Sequence, residues 1–94
     1  MSPAQKSAER FKYSPQAAWR RVENETIILD LNTSVYYSLN DTAAFVWEKL
    51  GPGATVPEIA AAMSAEFAVT TEKAAKDARE IVDDLLEQKL LLPA

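Results

Sequence analysis

Residues 26–40 read Thr26-Ile27-Ile28-Leu29-Asp30-Leu31, then Asn32-Thr33-Ser34, then Val35-Tyr36-Tyr37-Ser38-Leu39-Asn40, and this stretch decides the fold. Its two outer runs are rich in β-branched and aromatic residues, which suit a pleated, half-buried surface. Asn32-Thr33-Ser34 between them supplies turn chemistry, because these short polar side chains hydrogen-bond local backbone. Two such runs joined by a polar turn predict an antiparallel hairpin. Alternation puts Val35, Tyr37 and Leu39 on the inward face, and Tyr36 and Ser38 on the other. Ala18–Val22 is a weaker strand upstream, set off by Glu23-Asn24-Glu25.

Past Leu39 the apolar period changes from two to that of a helix. Asn40 is a good N-cap, and Asp41 sits in the dipole-favoured first turn. Ala43, Ala44, Val46, Trp47 and Leu50 then form one apolar stripe. Gly51-Pro52-Gly53 ends that helix. Thr55 opens a second, with Glu58 at capping-box spacing and Pro57 in the first turn, where a missing N–H costs little. Its buried side is Ile59, Ala60, Met63 and Phe67. After a bend at Ala68-Val69, Thr70 or Thr71 caps a third helix through about Lys89. Its stripe is Ala74, Ala78, Ile81, Val82, Leu85 and Leu86. Leu90-Leu91-Leu92 closes the chain, with Pro93 preventing continuation.

Helices of this length must bury their stripes against one another and against the sheet. The expected fold is therefore α+β and winged helix-turn-helix-like: a short antiparallel three-stranded sheet followed by three helices. Residues 1–12 read as a flexible N-terminal tail, and residues 13–94 as one domain. Pro15 argues for an extended or edge segment near the junction. Within residues 13–94, Leu39, Trp47, Ile59 and Leu85 are expected in one buried cluster.

Composition excludes much chemistry. The 94 residues contain no histidine and no cysteine. That removes disulfides, Cys/His zinc sites, iron–sulfur clusters, thiol nucleophiles and every triad that uses imidazole. No catalytic residue, metal site or cofactor is expected. No segment is long and apolar enough to span a membrane, and the N-terminus lacks the apolar core of a secretory signal. A cytoplasmic protein is the expectation. Net charge is −4, unevenly spread: residues 1–24 hold five basic and two acidic side chains, residues 25–94 five basic and twelve acidic.

Three features remain as sites. Asp77, Glu80 and Asp84 share a helix face at i, i+3 and i+7, which reads as an acidic binding face, a hard-metal site or simply a solvated face. A winged helix-turn-helix invites comparison with DNA-binding regulators, the alternative function. Yet residues 72–89 carry six acidic groups against Lys73, Lys76, Arg79 and Lys89, and such a recognition helix repels phosphates. Ser34–Leu39 contains neither proline nor charge to blunt a sheet edge, so it can accept an extended peptide as an added strand.

Tyr37-Ser38-Leu39-Asn40-Asp41-Thr42-Ala43-Ala44, followed by Trp47, resembles the Y-x-L-N-x-T-A-x-x-x-W stretch of the PqqD family. Gly53, Thr55, Val56, Glu58 and Ile59 are similar to its G-x-T-V-x-E-I. Asp77, Ile81, Val82 and Leu85 match its D-V-x-x-F-L-x-x-L, with Ala78 in place of Val. The turn Asn32-Thr33-Ser34 lacks the glycine often found there. The resemblance spans residues 19–92 and implies a winged-helix peptide-binding domain, a RiPP recognition element. Such domains capture the leader of a ribosomally made precursor peptide and present it to a modifying enzyme, a radical SAM protein in pyrroloquinoline quinone biosynthesis. They are not enzymes themselves. Relatives serve lasso-peptide pathways. The resemblance implies a docking strand at Ser34, Val35, Tyr36, Tyr37 and Ser38, facing a helix that offers Lys73, Lys76, Asp77, Glu80, Ile81 and Asp84. No nucleic-acid or membrane partner is expected, and the protein is expected as a monomer or homodimer.

Overall fold

The computed structural model describes residues 9–94. In chain order it contains β1 (Phe11–Tyr13), β2 (Ala17–Val22), β3 (Glu25–Asp30), β4 (Val35–Leu39), α1 (Asp41–Leu50), α2 (Val56–Phe67), α3 (Thr71–Glu87) and β5 (Leu91–Pro93). Strands β2, β3 and β4 form an antiparallel sheet with β3 in the middle. The expected α+β architecture is present.

Local chemistry explains the element ends. Asp30 is buried and its Oδ1 accepts from the amides of Asn32 (2.9 Å) and Thr33 (3.3 Å). This Asx-type turn holds the β3–β4 hairpin in register, with Ser34 at φ 63° closing back onto the Asp30 carbonyl at 2.7 Å. Asn40 caps α1 by accepting from the Ala43 amide. Thr55 and Glu58 complete the capping box of α2, and Thr70 caps α3. Ala68 ends α2 in the left-handed region.

The sheet's inner face and the three helices enclose one core. Ile28, Val46, Trp47, Leu50, Ile59, Met63, Ala74, Ala78, Val82 and Leu85 are all buried in it. Trp47, Ile59 and Leu85 share the expected cluster, whereas Leu39 is only partly buried at its edge.

Two terminal features differ from expectation. The flexible tail assigned to residues 1–12 does not hold at its inner end: Phe11 and Lys12 belong to β1, which pairs antiparallel with β5. Phe11 drives this, since it is 3% exposed and packs with Leu90 and Leu91, both about fully buried. Backbone bonds from Ser14 to Leu90 and from Ala94 to Arg10, each 3.0 Å, extend the pairing. Residues 1–8 of that tail lie outside the described residues. Pro15, expected in an extended segment, sits instead in the turn between β1 and β2.

Candidate functional site

Strand β4 is an edge strand whose far side has no partner among the described residues. The direction of its amides follows from β3. The Leu31 amide donates to Gln16 on the β2 side at 2.7 Å, so odd-numbered residues of β3 bond to β2 and even-numbered ones to β4. The Val22–Glu25 closing pair of the two-residue β2–β3 turn agrees. The β4 partners of the even residues are Val35, Tyr37 and Leu39. Tyr36 and Ser38 therefore turn their N–H and C=O groups to the open edge. The five residues of β4 span about 17 Å.

The sheet's other edge, β2, is less receptive. Arg20 and Arg21 charge it, and Arg21 is drawn to Glu48 on α1 at 2.6 Å. Charges on an edge strand oppose strand addition.

Side chains of β4 divide as the alternation requires. Tyr36 is 69% exposed on the outer face, and Val35 is also exposed, at the mouth of the turn. Tyr37 is half-buried on the inner face and reaches the residue that caps the C-terminus of α3, where its hydroxyl donates to Gln88 Oε1 at 3.1 Å. This contact ties the C-terminal end of α3 to β4. Ser34 and Ser38 are exposed.

On α3, Asp77, Ile81, Asp84 and Gln88 recur at four-, three- and four-residue spacing, so they share the flank on Tyr37's side. Ile81 and Asp77 are half-buried there and Asp84 is exposed. Lys73 and Glu80 form the next row outward. Lys73 Nζ bonds to Asp77 Oδ2 at 3.1 Å. Of the six expected helix residues, Lys76 is exposed and lies furthest round from Gln88, away from this flank. The opposite flank carries Arg79, bound to Asp83 at 2.8 Å and to Glu9 at 3.4 Å. Gln88 was absent from the sequence-based set. Its heptad spacing from Ile81 is the signal that would have placed it there.

Among the described residues no group of three or more acidic side chains is set to hold a metal ion. The two shifted acids lie elsewhere. Hydrogen bonds from Thr55 hold the Glu58 carboxyl below its usual range. Burial, and then the Glu48 carboxylate, push the Tyr13 hydroxyl up to about 12. An open cleft of about 620 Å³ beside Phe45, Phe67, Lys49 and the Arg21–Glu48 pair is separate from β4 and α3. No helix of the described residues is long and apolar enough to cross a membrane.

Two solved structures share this architecture. One is TbiB1 in complex with the TbiA(beta) leader peptide, at 28% identity and a TM-score of 0.80, covering 85% of this chain and 93% of that one. The other is a lasso peptide synthetase B1 complexed with the leader peptide, also 28% identical, with a TM-score of 0.82 and coverage of 88% and 98%. No curated protein sequence is significantly similar to the chain. The family model described as "Coenzyme PQQ synthesis protein D (PqqD)" matches residues 25–91, from the middle strand through the third helix into β5. With the hairpin, the capped helices and the open edge all inside that span, the chain belongs to the PqqD family.

Proposed function

We propose that this protein is a non-catalytic adaptor that captures the leader of a ribosomally made precursor peptide and presents it to a modifying enzyme. The leader adds as a strand to the open edge of β4, beside α3. The observation that carries this is the pair of outward-facing backbone groups at Tyr36 and Ser38 on an uncharged edge. Two structures of the same architecture that hold leader peptides support it. Main-chain bonds supply affinity, while Tyr36, Tyr37, Ile81 and the polar groups of α3 select side chains. Ser34, Val35, Ser38, Lys73, Asp77, Glu80 and Asp84 complete the contact surface. Lys76 belongs to its outer margin.

The modifying enzyme is a radical SAM protein if the chain serves pyrroloquinoline quinone biosynthesis, and the partner's chemistry changes with the pathway. The adaptor works in the cytoplasm, where precursor peptides are made.

No observation favours the DNA-binding alternative. Helix α3 carries six acidic side chains against three basic ones. Fluorescence anisotropy separates the two functions. A labelled leader from the protein's own precursor should bind saturably, and random duplex DNA should not bind even at low salt. Tight duplex binding that weakens steeply with salt would contradict the adaptor reading.

A further inference from the structure

The charge along the site is predominantly negative. Strand β4 contributes no charged residue. On α3, the rows nearest Tyr37 and Gln88 hold Asp77, Glu80 and Asp84 against a single lysine, Lys73. That lysine is already engaged with Asp77. Lys76, one turn before Glu80, lies in the row beyond and forms no ion pair among the described residues, and Arg79 is engaged with Asp83 and Glu9 on the opposite flank. Glu80 and Asp84 have no cationic partner among the described residues. The helix flank on the side of the open edge thus carries an excess of carboxylates, Glu80 and Asp84 among them without an ion-pair partner, in a protein of net charge −4.

We infer that the site takes a basic leader: an extended segment with lysine or arginine at alternate positions on the side that faces α3. This rests on strand addition at β4. Glu80 and Asp84 are one helical turn apart, about 6 Å along the axis. Alternate residues of a strand recur every 6.6–6.8 Å or so, which matches that rise. Two basic side chains at i and i+2 therefore meet the two carboxylates in register. Their flexible stems lie along the apolar patch of Ile81. The pairs are exposed, so each adds about two- to five-fold in affinity, and together about ten-fold at low salt. The gain shrinks as salt rises, because exposed charges are screened. An acidic leader would be disfavoured by like-charge repulsion over the same positions.

A displayed library of short random peptides, selected on the full-length protein, tests the sign without knowing the natural leader. Selected pools should be enriched in lysine and arginine at alternate positions. Their binding should weaken about ten-fold in the double variant Glu80→Gln, Asp84→Asn. It should hold in the charge-matched control Glu66→Gln, Glu72→Gln, whose exposed side chains lie on α2 and on the far flank of α3. Both pairs change exposed side chains to near-isosteres, so folding is preserved. Backbone amide shifts with the tightest selected peptide locate its site. Peptides that shift residues 34–39 but are neutral or acidic overturn the basic-leader inference and leave strand addition standing. Equal weakening in the two double variants also overturns it, since net charge alone then suffices. A selection that yields no peptide shifting residues 34–39 sinks strand addition, and the inference with it.

Discussion

Tyr13 shows how one side chain can tie a terminus to the core. Its ring stacks on Trp47 with centroids 4.0 Å apart, and its hydroxyl donates to the Trp47 carbonyl at 2.6 Å. Trp19 meets both rings edge-on. The fit extends to Gly51, which has ordinary helical angles and so is not required for its backbone conformation. What it provides is space: a Cβ there would lie 2.8 Å from the Tyr13 hydroxyl and 3.1 Å from its ring. The stacked ring cannot retreat, so Gly51→Ala should destabilise by about 1–3 kcal/mol in urea unfolding despite alanine's better helix propensity. Gly53 differs, since it has open space but φ of +101°. Tyr13→Phe should cost about 1 kcal/mol at neutral pH through the lost hydrogen bond. It should also change the alkaline limb. The folded hydroxyl titrates at about 12 rather than the ordinary 10. As pH rises between those values the unfolded chain releases a proton that the folded chain keeps, so wild-type stability falls. Unfolding midpoints measured across that range should fall less steeply for Tyr13→Phe.

The elements divide by how local their causes are. Proline scanning of β4 probes its two sides separately. Tyr36→Pro removes an amide that faces the open edge and spares the ladder to β3, so the fold should persist while leader affinity drops at least about ten-fold. Tyr37→Pro removes a ladder donor to Ile28 and should destabilise the hairpin itself, seen as a lowered thermal midpoint. Most elements were legible because their signals are short-range. The Asn40, Thr55 and Thr70 caps, the alternation of β4 and the stripe of α1 each act within a few residues. The β1–β5 pair was not legible, because it joins residues some 80 positions apart and neither three-residue strand has a pattern of its own. Phe11 alone, a large apolar residue in a polar stretch, hinted at it. Likewise the edge strand could be read, but not which residues of α3 lie on its side. That depends on helix rotation, revealed by the Tyr37–Gln88 bond. Since β5 is part of the core, Leu91→Ala should cost about 2–4 kcal/mol in urea unfolding.

At the scale of the molecule, one core supports one exposed edge. Trp47 lies at its centre, fully buried, and joins the sheet, β1 and α1. Trp47→Ala should cost about 3–5 kcal/mol, a large fraction of a small domain's stability, and should abolish leader binding by unfolding rather than by loss of contact. Pairing to β3 sets the open amides of β4 in an extended line, which lowers the ordering cost of adding a strand there. The acidic balance of residues 25–94 then acts over the whole surface, speeding encounter with a cationic peptide and discouraging nucleic acid. Capture by backbone pairing at β4 is the central claim, and amide chemical shifts read it most directly. On titration of the leader into the isotope-labelled protein, the Tyr36 and Ser38 amides should move downfield as they gain partners, together with shifts along residues 77–88. Shifts confined to α1 and α2, with Tyr36 and Ser38 unmoved at saturation, would contradict it.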